Sequence, residues 1–136
     1  MLEEHIFVKN KRMNATKEQL KNLLELILPT EILEYFTIIN LEIFPKEVHL
    51  FIDENNTTPE EYKSEKLISK GFHPEAVIQD FPLRDKALFL HVRRRKWEVE
   101  STGKIVSRSW KLTAEGTRYS KEFASFLKEL LGFIPG

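Results

Sequence analysis

Apolar residues at Leu20, Leu23, Leu24, Ile27 and Leu28 recur at helical spacing, so the chain from Thr16 to Leu28 predicts an amphipathic helix. Thr16 and Gln19 stand as a capping box at its start, and Pro29 ends or restarts it. TEILEYF adds a helical turn or two. The period then changes: TIINLEIF and EVHLFID read as two β segments around a turn at Pro45 and Lys46, and in the second Val48, Leu50 and Ile52 alternate cleanly. Residues 53 to 66, DENNTTPEEYKSEK, are polar and turn-rich and predict a linker, with Asp53 to Pro59 exposed. Beyond it AVIQDF and KALFLHV flank Pro82 to Asp85 as a second hairpin, and GKIVSRSWKLT follows the turn at Ser101 to Gly103 as a third strand. Phe123, Phe126, Leu127, Leu130 and Leu131 mark one face of a last helix from about Thr117 to Leu131, with Gly132 and Pro135 just past its end.

These elements predict an α+β fold. An N-terminal helix with a β-hairpin occupies residues 1–60, and a three-stranded antiparallel meander capped by a C-terminal helix occupies 67–136. The two stretches are either two small sub-structures or one compact domain, since 136 residues with 41% hydrophobic content suffice for one core.

Charge changes this picture through its distribution. The chain balances 21 Lys and Arg against 21 Asp and Glu, so its sum gives no argument for a polyanionic partner. Residues 84–111, however, hold nine basic side chains against three acidic ones, centred on Arg93, Arg94, Arg95 and Lys96. In a strand successive side chains point to opposite faces, so neither face of that run is core. Leu88, Leu90 and Val92 form one buried row, whereas Trp97 and Val99 fall on the opposite parity. That offset predicts a bulge or twist within the run, with the ribbon leaving the core there. Arg108 and Lys111 lie across the expected hairpin, and Arg84 and Lys86 sit at its other turn. Two readings stand: a projecting ribbon whose arginine forks meet phosphate while Trp97 and Trp110 pack on sugar or base, or a solvated edge kept soluble by charge, with the tryptophans closing a small core.

Other chemistry is sparsely represented. There is no cysteine, which excludes disulfides and thiolate-bound metal. His49 and Asp53 share a strand face and His73 lies near Glu75, but no metal-ligand spacing appears, and no metal or other cofactor is expected. Glu60 and Glu61 after Pro59 suit a helix start better than an acid–base pair. No nucleophile elbow, phosphate loop or dinucleotide-binding glycine pattern occurs. The charged start, MLEEHIFVKNKR, is unlike a signal peptide, and no run of about 18 apolar residues occurs, so a cytoplasmic protein is expected.

One resemblance adds to this. SKGFHPEAVIQDFPLRDKALFLHVRRRKW and TGKIVSRSWKLTAEGTRYSKEFASFL, within residues 69–127, resemble the separately encoded N-terminal region of a bacterial insertion-sequence transposase. The marks are Asp80-Phe81-Pro82, the strand running into RRRKW, the TG turn, SRSW and the EGTR segment at Glu115 to Arg118. The same order is more distantly similar to the zinc-bearing N-terminal domain of a larger transposase group, but every cysteine of that pattern is absent, so zinc is not carried over. The resemblance implies a non-catalytic piece, with the three-carboxylate catalytic domain expected on a separate transposase chain. It assigns Arg93, Arg94, Arg95, Lys96 and Arg108 to recognition of the element's terminal double-stranded DNA. Arg84, Lys86, Trp97, Lys111 and Arg118 complete the expected contact set. The alternative it leaves is a module that docks onto the catalytic chain. Symmetric element ends are compatible with a homodimer.

Overall fold

The computed structural model describes residues 16–115 and 120–133. The fold is α+β, with helices α1 (Lys17–Ile27), α2 (Thr30–Tyr35), α3 (Trp110–Glu115) and α4 (Lys121–Leu131). Seven strands accompany them: β1 (Phe36–Ile43), β2 (Glu47–Glu54), β3 (Leu67–Phe72), β4 (Ala76–Leu83), β5 (Lys86–Arg93), β6 (Arg95–Val99) and β7 (Ile105–Val106). The capping box opens α1: the Thr16 hydroxyl accepts the Gln19 N–H at 3.1 Å, and the Gln19 side chain accepts the Thr16 N–H at 2.9 Å. Ser120 caps α4 in the same manner by accepting from the Phe123 N–H.

Two sheets form. The larger has the order β1-β2-β5-β4, antiparallel except at its centre, where β2 and β5 run parallel in register from Glu47 opposite Ala87 to Asp53 opposite Arg93. The smaller is antiparallel with the order β3-β6-β7. Residues 1–60 and 67–136 therefore meet in one sheet, because β5 from the second stretch inserts beside β2 from the first. Leu50, Ile52, Ile78, Leu90 and Val92 from that sheet share a core with Leu24, Leu28, Ile32, Phe123, Phe126 and Leu130 from the helices. Trp110 stacks on Phe36 at 5.2 Å within it. The smaller sheet has its own cluster of Trp97, Val99 and Val106, with Tyr62 and Leu67 against it.

Several expectations are corrected. Leu23 and Ile27 of the predicted apolar stripe are more than half exposed, because α1 buries only Leu24 and Leu28 of that row. The stretch 53–66 is no free linker: Asp53 and Glu54 complete β2, Glu54 and Pro59 are buried, and Glu60–Tyr62 form a 3-10 turn. Strand GKIVSRSWKLT shortens to β7, and from Trp110 onward the chain is helical, which turns that indole inward onto Phe36. Thr117, given as the start of the last helix, and Pro135 lie outside the described residues.

Candidate functional site

The cationic run sits where the chain steps from one sheet to the other. Arg94 belongs to neither β5 nor β6, and this break accounts for the change of parity between Val92 and Trp97. The chain does not project there. It folds over the end of β2, and the arginines converge on the two acidic residues that end that strand. Arg93 grips Asp53 with both prongs of its fork, Nε to Oδ1 at 2.7 Å and a terminal nitrogen to Oδ2 at 2.6 Å. The Arg95 N–H donates to Glu54 Oε1 at 2.9 Å, and its Nε to the Glu54 carbonyl at 3.2 Å. Arg108 Nε donates to Glu54 Oε2 at 3.2 Å, and its fork continues to the Thr57 carbonyl. Arg93 and Arg95 also lie on the Phe72 ring, 4.2 and 4.6 Å from its centroid.

Burial sets the electrostatics of this knot. Glu54 is 1% exposed, and desolvation pushes its carboxyl above the ordinary range, against the Arg95 N–H and Arg108, which pull it down. Hydrogen bonds donated to Asp53 hold the Arg93 guanidinium further toward its charged form. Arg94 is only 8% exposed; burial disfavours its charge, and the nearby Glu54 partly offsets that. His73 donates to or accepts from Ser107 Oγ at 2.6 Å, and burial, then Arg94 and Lys96, hold its imidazole below the ordinary value.

The remaining predicted contacts scatter. Arg84 is exposed in the β4–β5 turn at a φ of 59°, and Lys86 lies 3.5 Å from Asp85. Lys96 is half-buried and Lys111 is exposed on α3. Arg118 lies outside the described residues. Trp97 and Trp110, expected against sugar or base, are both buried at 2% exposure, so neither ring offers a free face. Of the expected set, the structure brings together Arg93, Arg94, Arg95 and Arg108; protein carboxylates hold the guanidiniums of Arg93 and Arg108, and that of Arg95 bonds the Glu54 carbonyl and the Ser69 hydroxyl.

A second constellation lies on the outer face of the larger sheet, away from the shared core, and at its β1 edge Lys17 of α1 donates to Asn40 Oδ1 at 2.7 Å. Side chains align there across the strands as Asn40, Phe51, His91 and Val77 in one row and Glu42, His49, Phe89 and Gln79 in the next. His49 stacks on Phe89 at 5.0 Å and His91 on Phe51 at 4.3 Å, while Phe44 meets His49 edge-on. A hydrogen-bonded chain runs through the rings: Glu47 Oε1 to His49 Nε2 at 2.8 Å, His49 Nδ1 to His91 Nε2 at 2.7 Å, and His91 Nδ1 to Glu75 Oε1 at 2.9 Å. Ionised carboxylates only accept, so satisfying all three contacts takes one proton more than two neutral imidazoles carry. The alternation in EVHLFID and KALFLHV placed these residues on strand faces, but only the parallel β2–β5 pairing joins them.

No family model, no curated protein and no solved structure matches this chain. No described helix is long and apolar enough to cross a membrane.

Proposed function

We propose that this chain is a non-catalytic interaction module of an insertion-sequence transposition system. It works in the cytoplasm and docks onto a separately encoded catalytic transposase chain through the outer face of its larger sheet. The transposition context rests on the resemblance of residues 69–127. The docking mode rests on one observation above others: rings and apolar side chains line that face, and Phe44 and Val77 on it are 49% and 44% exposed. Its charges argue for a protein partner over a nucleic acid. Glu42, Glu47 and Glu75 share the face, and its one arginine, Arg93, is neutralised by Asp53. Carboxylates repel phosphate, whereas a chain that handles DNA is itself cationic and complements them.

Recognition of terminal DNA by this module is the second reading. It keeps Arg84, Lys96 and Lys111, exposed or half-buried cations that form no ion pair with a described residue. Co-purification with the element's catalytic chain separates the two. Phe44→Ser combined with Val77→Ser weakens the complex by about tenfold or more, the scale of an interface hot spot. Arg84→Ala combined with Lys96→Ala and Lys111→Ala leaves it intact. The reverse pattern returns the function to DNA recognition.

A further inference from the structure

Arg94 has no acceptor for its Nε among the described residues, although it is more than nine-tenths buried. A buried N–H of a charged group that lacks an acceptor costs its desolvation, so the Arg94 Nε calls for one. Its side chain lines a surface pocket of about 410 Å³ together with Arg108, His73, Ser107, Glu75 and Phe133. Four donor-bearing side chains stand on that wall, the Arg94 and Arg108 guanidiniums, the Ser107 hydroxyl and the His73 imidazole, beside the apolar Pro74, Ala76 and Phe133.

The local charge points the same way. Asp53 is taken by Arg93, so Arg94, Arg95 and Arg108 stand around the single carboxylate of Glu54. The excess is two positive charges, or one when Glu75 is counted, and Glu75 is held toward the outer face by His91. The pocket exceeds the roughly 30 Å³ share of a water molecule many times over, which leaves room for an ester as well as a free ion.

We infer that this pocket is an oxyanion site of the phosphate class, in which Arg94 supplies the fork and Arg108, Ser107 and His73 the flanking donors. A tetrahedral phosphate fits this donor set because it offers several acceptor oxygens and up to two negative charges, matching the excess. Two sources share that chemistry, a free phosphate and the phosphate of a nucleic-acid strand end. The inference does not depend on what docks on the outer face, although Glu75 borders both.

The test titrates the whole chain, in phosphate-free buffer, with inorganic phosphate, with a short 5′-phosphorylated oligonucleotide and with its 5′-hydroxyl counterpart, following the nitrogen-15 resonance of Arg94 Nε. A saturable shift with inorganic phosphate is expected. Tighter binding of the 5′-phosphorylated strand than of its 5′-hydroxyl counterpart assigns the site to strand ends, and equal binding of the two oligonucleotides assigns it to the free ion. Arg94→Met, which removes no hydrogen bond, stays folded and loses roughly 10- to 100-fold in phosphate affinity, the range of a charge-assisted hydrogen bond. An unchanged Nε resonance with all three ligands, or phosphate binding that survives Arg94→Met, overturns the assignment. The wild-type resonance decides the matter by itself if the variant fails to fold.

Discussion

Glu54 is the residue on which the two halves of the chain turn. It ends β2 on the core side of the sheet, and its two carboxylate oxygens accept from Arg95 and Arg108, residues 41 and 54 positions away. Removing it strands buried cations. Glu54→Ala therefore costs roughly 3–5 kcal/mol of stability, the penalty of breaking a buried ion pair from one side, as urea denaturation will register. The same geometry shows that replacing Arg93, Arg94 and Arg95 together is a poor assay of DNA contact, because it also removes the Asp53 clamp and the Arg95 bond to the Glu54 carbonyl. His73 offers a second handle. Its folded pKa lies below the ordinary imidazole value of 6.5, so the unfolded chain binds the extra proton first as pH falls. Its contribution is complete above that value and is lost as pH drops from 6.5 toward the lower folded pKa. The difference in stability between wild type and His73→Gln, measured across pH, should slope in that window and flatten above it. At this scale the sequence shows the cations and the parity break beside them. Their inward direction was hidden, because the partner carboxylates lie in a polar stretch that reads locally as an exposed linker.

At the scale of elements, local pattern and structure agree wherever a segment's own periodicity decides its state. The capped helix α1, the β1–β2 and β4–β5 hairpins and the buried stripe of α4 all carry that signal. Agreement ends where partners are distant in sequence. The parallel pairing of β2 with β5 has no local signature, and β3, with only Leu67 and Phe72 half-buried, lacks the alternation that marks a strand. The smaller sheet buries only Trp97, Val99 and Val106 among the described residues, with Tyr62 and Leu67 half-buried against them, so it is the less secure of the two. Trp97→Ala removes most of that cluster, about 3–5 kcal/mol for a buried tryptophan. Hydrogen exchange should then show the amides of β3, β6 and β7 losing protection while those of β2 and β5 keep it. Uniform loss across both sheets would mean that they unfold as one unit.

For the whole molecule, acidic residues of the first half and basic residues of the second are joined as complementary charges inside one fold. Asp53 and Glu54 come from the first, and Arg93, Arg95 and Arg108 from the second. This internal pairing weakens the electrostatic case for a DNA ribbon and turns attention to the outer sheet face, where Phe44 and Val77 stay exposed. That face was half legible: alternation assigns Phe51, Phe89, His49 and His91 to strand faces, while their assembly depends on a non-local register.

Docking through that face is the central claim, and calorimetric titration of the catalytic transposase chain with this module, at several temperatures and without DNA, tests it most directly. Saturable binding with a negative heat-capacity change, the mark of apolar burial, is predicted, and Phe44→Ser with Val77→Ser should diminish both. Absence of binding until duplex DNA is added, or binding with no heat-capacity change and a steep dependence on salt, would contradict the account.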